Sequence, residues 1–189
     1  ELTIAMLRAG SDPELPFSPI VASGPNSANP HATPTDRKLE PGDLLVIDWG
    51  ARVDGYCSDL TRTFAINNLD PELEQIYNTV LKANTAGRAA GQPGLAAGEV
   101  DRAAREVIDQ AGFGEFFTHR TGHGLGMEAH ETPYIFMGNT EKLEPGMTYT
   151  VEPGIYLPNK GGVRIEDNVL ITSDGAVSLS DFPRELTIL

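Results

Sequence analysis

Residues 43–66 read DLLVIDWGARVDGYCSDLTRTFAI. β-Branched and aromatic residues on both sides of Asp54-Gly55 suit a pleated, half-buried surface, and Asp-Gly between two such runs is the strongest short-range signal for a hairpin turn. With Asp54 and Gly55 as the two turn residues, cross-strand partners have numbers summing to 109, which sets Asp48 opposite Thr61 and leaves Asp59 two positions from Thr61. The aspartates are then diagonal neighbours on one face, with Cα atoms ~7–8 Å apart, close enough to reach one ion or a closely spaced pair. The stretch predicts a two-stranded antiparallel unit that carries two acids on one side.

Outward from this unit the chain resembles itself. His31-Ala32-Thr33-Pro34 precedes Lys38-Leu39-Glu40-Pro41-Gly42 and then Asp48, while His130-Glu131-Thr132-Pro133 precedes Lys142-Leu143-Glu144-Pro145-Gly146 and then Glu152. In both copies the carboxylate falls six positions after the KLEPG glycine and two before Gly50 or Gly154. KLEPG can serve simply as a turn before a strand. A histidine, a turn and an acidic strand residue in the same order point instead to two related halves, with carboxylates facing each other across a pseudo-twofold axis.

The second copy opens a second β region, MTYTVEPGIYL and GGVRIEDNVLIT, followed by a turn at Asp174-Gly175 and AVSLS. Glu152 and Glu166 have numbers summing to 318, so they are opposite partners about a turn centred on Asn159. Four carboxylates on one face repel one another and take up protons unless cations neutralise them. HRTGHGLGMEAHE adds His119, His123 and His130, and the glycines flanking His123 allow close backbone approach and argue against an ordinary helix. Asp48, Asp59, His123, Glu152 and Glu166 form an oxygen-rich set with one imidazole, suited to Mn²⁺, Co²⁺, Fe²⁺ or Zn²⁺ rather than to a thiolate-type structural zinc. A pair of such ions supplies a nucleophile at neutral pH, and the reaction expected is hydrolysis. Cys57 is expected to be a small buried hydrophobe outside the site, and Arg164 to occupy lone pairs of the neighbouring Glu166.

The remaining segments frame these motifs. ELTIAMLRAG reads as the end of an amphipathic helix through Ile4, Leu7 and Met6, stopped by Gly10, and its start at Glu1 suggests that an upstream part is missing. Residues 11–41 are rich in Pro, Gly, Asn and Ser and have room for a strand at 20–23. PELEQIYNTVLKANTAGRAAG places Leu73, Ile76, Tyr77 and Val80 at helical spacing, and GEVDRAAREVIDQAGF does so with Val100, Ala103, Val107 and Ile108. The order is hairpin, helices, hairpins. A chain of 189 residues fits one domain, 1–189. Lys and Arg number 14 against 27 Asp and Glu, a formal charge of −13 that repels nucleic acid and anionic membrane surfaces. The longest strictly aliphatic run is Leu44–Ile47, too short to span a bilayer. Cys57 is the only cysteine, so folding does not need an internal disulfide, and a reducing, cytoplasmic setting is expected.

IDWGARVDGYCSDLTRTF, HRTGHGLGMEAHE, TVEPGIY and GVRIEDNVLIT together resemble the catalytic domain of the pita-bread metallopeptidases, and specifically their Xaa-Pro branch, aminopeptidase P and prolidase, from about Pro19 to near the C-terminus. The resemblance implies an α+β pita-bread fold with two pseudo-twofold-related halves and a curved antiparallel sheet with helices on its outer face. It implies that Asp48, Asp59, His123, Glu152 and Glu166 ligate two divalent ions, manganese first, with Co, Zn or Fe as alternatives. The activity implied is removal of the N-terminal residue from peptides with proline in second position. His130 would then stabilise the oxyanion, Glu152 would move the proton to the leaving nitrogen, and His31 and His119 would position substrate. Tyr156 would help to line the site beside Arg164, and peptides and a second copy of the chain are the partners implied. Ala129 stands where the branch usually has a β-branched residue, and the branch's separate N-terminal domain and complete first helix have no counterpart here. Two rivals share the fold: methionine aminopeptidase, disfavoured by RIEDN at 164–168, and a non-catalytic peptide- or protein-binding member, disfavoured with metal-independent creatinase because every ligand position is filled. Stoichiometric metal separates the binding module from an enzyme.

Overall fold

The computed structural model describes residues Glu1–Leu189. In chain order its elements are α1 (Leu2–Arg8), β1 (Ile20–Ser23), β2 (Leu44–Trp49), β3 (Arg52–Val53), β4 (Tyr56–Cys57), β5 (Leu60–Ala65), α2 (Pro71–Ala90), α3 (Ala97–Gln110), β6 (Gly122–Gly124), β7 (Glu131–Ile135), β8 (Thr148–Val151), β9 (Gly154–Leu157), β10 (Gly161–Arg164), β11 (Asp167–Thr172), β12 (Gly175–Ser178) and β13 (Thr187–Ile188). Asp54 and Gly55 take positive φ, 51° and 84°, as a type I′ turn requires. Every bonded pair of the first hairpin keeps the expected register, from Arg52↔Cys57 near the turn to Leu44↔Ala65 at the far end, with Asp48 opposite Thr61. The ladder breaks at Gly50 and Asp59, where a Cβ on Gly50 would overlap the Ser58 carbonyl and stand 2.7 Å from the Phe17 ring. Only glycine permits that crossing.

The second hairpin behaves alike. β9 and β10 pair as Gly154↔Arg164 and β8 and β11 as Val151↔Asp167, so Glu152 and Glu166 face each other in the gap between two ladders of one register. Asn159, at φ 62°, sits in the turn as expected. The last turn is shifted by one residue: Thr172 pairs with Gly175, leaving Ser173 and Asp174 as its tip and Gly175 as the first residue of β12. The strands β6 and β7 within and after HRTGHGLGMEAHE, and β13 near the C-terminus, have no counterpart in the sequence reading.

The strands form a four-stranded sheet, β1-β2-β5-β13, and a five-stranded sheet, β12-β11-β8-β6-β7. Within each sheet a strand, a KLEPG-led strand and a hairpin return lie side by side, β1-β2-β5 in one and β6-β8-β11 in the other, all antiparallel. This is the expected pseudo-symmetry. Asp70 caps α2 through Oδ1, which accepts from the Glu72 amide (2.8 Å), with Pro71 in the first turn. Leu73, Ile76, Tyr77 and Val80 of α2 pack with Ala104 and Ile108 of α3 against Ile155, Val163 and Ile165. Ala97 and Val100 of α3 pack with Tyr149, Val151, Val169 and Ile171. In the second half odd-numbered residues thus face the helices, which turns Glu152, Arg164 and Glu166 to the other side. On α1 only Met6 is buried, while Ile4 and Leu7 are exposed. No helix is long and apolar enough to cross a membrane.

Candidate metal centre

Asp48 and Asp59 come from the first hairpin, His123 from β6, and Glu152 and Glu166 from facing positions of the second hairpin. Two helical residues hold the histidine segment. Buried Asp101 of α3 accepts from the Thr121 amide (3.0 Å) and from Arg105, which donates to the carbonyls of Phe117 (3.1 Å) and His119 (2.9 Å). The His123 amide donates to Thr150 Oγ1 (3.1 Å), and the Glu152 amide to the Thr121 carbonyl (2.7 Å). Gly122 lies so close to β8 that a Cβ there would overlap the Thr150 carbonyl.

The five side chains line one cavity of about 500 Å³ together with His31, His119, His130, Arg120 and Arg164. Ligand atoms of Asp59, His123 and Glu166 lie within 4.8 Å of one another, all three residues buried. His123 Nδ1 donates to the Gly124 carbonyl (3.0 Å), so its Nε2 lone pair faces Glu152 Oε1 (3.3 Å) and Asp59 Oδ2 (3.6 Å). A lone pair aimed at two carboxylates is repulsive unless a cation lies between them. Asp48 Oδ1 and Asp59 Oδ1 are buried with no hydrogen-bond partner. Orphaned acceptors pointing into an acidic cluster fit bound cations.

Burial lifts the carboxyls of Asp59 and Glu166 well above the usual range, and the charges of neighbouring acids raise both further. Asp48 is raised less, because Arg164 offsets its burial. Glu152 goes the other way: burial alone would raise it, but without a metal an Nε2–H of His123 in place of that lone pair, together with the positive fields of His119, His123 and Arg164, holds its carboxyl below the usual range.

Arg164 does not serve Glu166 directly. Its Nη2 pairs with Asp48 Oδ2 (2.6 Å) and its Nε donates to Thr61 Oγ1 (3.1 Å), while the Thr61 hydroxyl donates to Glu166 Oε2 (2.6 Å). Thr61, paired with Asp48 by the hairpin register, is a site residue the sequence reading left unassigned. Tyr156 stands behind the cavity wall, accepting from Arg164 Nη1 (3.0 Å) and donating to His119 Nε2 (2.9 Å). His119 Nδ1 donates to the Arg120 carbonyl (2.7 Å), so both its ring nitrogens are engaged. The His130 ring lies against that of His123, centroids 4.2 Å apart and planes tilted by 56°, with its pKa lowered by burial and by His123 and Arg120, and His31 is exposed at the opening. Cys57 is half-buried rather than in the core; its thiol donates to the Met127 carbonyl (3.5 Å) and lies outside the cavity lining.

Two antiparallel halves with an acid-and-histidine cluster at their junction define a pita-bread protein, the α+β class expected. The chain belongs to metallopeptidase family M24, which matches residues 1–173. It is 47% identical over 170 residues to the Xaa-Pro dipeptidase of Pyrococcus furiosus, covering 90% of this chain and 49% of that protein. It is 48% identical over 171 residues to the probable dipeptidase PepE of Mycobacterium tuberculosis, covering 90% and 46%. Among solved structures, the Xaa-Pro dipeptidase of Bacillus anthracis superposes with a TM-score of 0.96 at 45% identity, covering 100% of this chain and 53% of that one. The X-Pro aminopeptidase of Thermotoga maritima gives 0.95 at 39%, with the same coverage. The chain thus spans about half the length of these relatives.

Proposed function

We propose that this chain carries the catalytic machinery of a metal-dependent Xaa-Pro peptidase, a hydrolase that removes the residue preceding proline from a peptide N-terminus. The observation that carries the reading is the convergence of Asp48, Asp59, His123, Glu152 and Glu166 on one cavity, with buried carboxylate oxygens left unpaired and a histidine lone pair aimed among them. The relatives named Xaa-Pro dipeptidase support the substrate class. Those five residues would hold two divalent ions, manganese first and Co, Zn or Fe by the same oxygen-rich chemistry. Bound there, the ions supply a nucleophile at neutral pH and neutralise charge on the carbonyl being attacked.

The chain's own groups do the rest. Glu152, ionised at working pH, is the group that accepts a proton and passes it to the departing proline nitrogen, a tertiary amide that must be protonated to leave. His130, its pKa lowered, is neutral near pH 7 and offers a ring N–H to the developing oxyanion. Phe17, Ile20 and Pro30 give the cavity an apolar side, and His31 stands at its opening to orient the peptide. His119 acts through Tyr156 and Arg164 on Asp48. Arg120, exposed with its guanidinium over the Tyr134 ring at 4.6 Å, lines the cavity where it can meet a free substrate carboxylate close to the cleaved bond, which favours a dipeptide.

The test is release of the N-terminal residue by manganese-loaded protein from an Xaa-Pro dipeptide, an Xaa-Pro-Xaa tripeptide and a Met-Ala peptide in parallel. Cleavage is expected of the proline substrates, the dipeptide fastest. Cleavage of the methionine peptide alone would overturn the reading in favour of methionine aminopeptidase.

A further inference from the structure

Behind Glu166, away from the cavity, lies a buried polar cluster for which the chemistry above has no use. Arg62 of β5 is 2% exposed. Its Nη1 donates to the carbonyls of Thr61 (2.9 Å) and Glu166 (2.6 Å), its Nη2 to Asp167 Oδ1 (2.8 Å) and the Phe182 carbonyl (2.7 Å), and its Nε to the Pro183 carbonyl (2.9 Å). Fully buried Asp167 also accepts from Asn84 (3.0 Å) and Arg184 (2.8 Å), with Arg88 Nε 3.6 Å away. Phe182 packs edge-on against Trp49, Tyr77 donates to the Arg184 carbonyl (2.8 Å), and the Leu189 amide donates to the Ala65 carbonyl (2.8 Å). Residues 182–189 therefore form a strap along β5, joined through one guanidinium to the main chain of Glu166.

The composition of the cluster is informative. Three guanidinium groups surround one carboxylate, an excess of buried positive charge that is costly by itself and is offset by the acids on the cavity side. Apolar side chains would fasten a strap at a smaller desolvation cost. A planar fork that reaches five acceptors at once fixes positions, which a lysine's three donors on one nitrogen do not reproduce.

We propose that Arg62 is a positioning residue that couples the metal centre to the C-terminal strap. By holding the Glu166 carbonyl and the Asp167 carboxylate it sets the Glu166 side chain within reach of Asp59 and His123, and the strap completes its hydrogen bonds. The inference rests on the metal reading of the acidic cluster. Coupling is reciprocal, so occupancy of the cluster and order in the strap favour each other.

Cobalt titration with its visible absorption spectrum tests this. Arg62→Lys and Arg62→Met are expected to weaken Co²⁺ binding roughly 10–100-fold and to alter the spectrum, as loss of support behind a ligand does. Arg184→Met, which removes a 2.8 Å bond to Asp167, should weaken binding by a smaller factor, and Arg88→Met, whose Nε donates to Asn84 (2.8 Å) and stands 3.6 Å from Asp167, should leave affinity and spectrum unchanged. A purely structural role would lower the unfolding midpoint of all four variants without moving the spectrum. Arg62 variants with wild-type affinity and spectrum overturn the proposal. Should they not fold, hydrogen exchange of the wild-type chain decides: the Leu189 amide, at an end that opens without global unfolding, should slow on Co²⁺ addition, and an unchanged rate overturns the coupling. A wild-type chain that takes up no Co²⁺ is a separate result, one that removes the metal reading itself.

Discussion

Asp59 sits among Asp48, Glu152 and Glu166 with one oxygen unpaired, and burial and like charge hold its carboxyl well above the usual range. Its raised folded-state pKa means that, without metal, the folded chain binds the proton more tightly than the unfolded one. Ionised Asp59 therefore destabilises the fold above its folded pKa, and the penalty shrinks as pH falls below that pKa and is gone once pH is below the unfolded value. Asp59→Asn removes the charge at nearly constant shape. Metal-free Asp59→Asn is expected to be more stable than metal-free wild type at pH 8, by roughly 1–4 kcal/mol as when uncompensated buried charge is replaced. Urea titrations at pH 8 and pH 5 should show the difference shrinking at the lower pH, while metal uptake and hydrolysis are lost. A variant less stable than wild type at both values would contradict this account. His130 separates the two functions in the opposite sense: His130→Ala should lower kcat about 10²–10³-fold, as for loss of one oxyanion donor, with metal content unchanged by atomic absorption. Near-normal turnover would remove the role given to it.

The element that bears most on the site is the three-residue strand β6. Its glycines exist because β8 and the start of β7 crowd it: a Cβ on Gly122 would overlap the Thr150 carbonyl, and one on Gly124 the Thr132 carbonyl. Gly122→Ala should cost roughly 1–3 kcal/mol by overpacking and shift His123, so metal affinity should fall together with the unfolding midpoint. Loss of midpoint with unchanged affinity would mean that β8 yields and His123 stays in place. The same strand marks where sequence reading stops. The registers that put Asp48 opposite Thr61 and Glu152 opposite Glu166 follow from a period of two and a turn with its own signature, both local. α2 is equally local, with its Asp70 cap and apolar stripe. β6 has neither alternation nor turn, and it is a strand because Gly124 pairs with Tyr149, 25 positions later. Arg62 pairs with Asp167 across 105 positions and with the strap across 120 or more, and nothing near it in sequence distinguishes it from a surface charge. Arg164 shares a strand face with Glu166, yet the nearest acceptor for its outer nitrogen is Asp48, brought there by packing of the two hairpins.

At the scale of the molecule the two halves share an apolar cluster through Leu44, Ile155, Val163 and Ile165, and on the cavity side they meet through polar contacts. The Glu166 amide donates to the Thr61 carbonyl (3.1 Å), the Thr61 hydroxyl to Glu166 Oε2 (2.6 Å), and Thr63 and Arg164 exchange bonds of 2.8 and 3.1 Å. The acids lie on this joint, Asp48 and Asp59 from one half and Glu152 and Glu166 from the other. Repulsion between them loosens the joint, and cations held by both halves close it. Metal should therefore stabilise the whole chain and not one sheet. At a concentration 100-fold above its Kd, a bound ion contributes about 2.7 kcal/mol, which for a chain of this length raises Tm by roughly 5–10 °C. Trp49, the only tryptophan, ends β2 in the first half and packs on Phe182 of the strap, so its fluorescence reports the first half alone. Far-UV circular dichroism reports both halves. The two melting curves should coincide with and without manganese and move together when it is added. If Trp49 melted early and its midpoint ignored the metal, the halves would unfold separately, and ions seated between them would lose their role in holding the fold together.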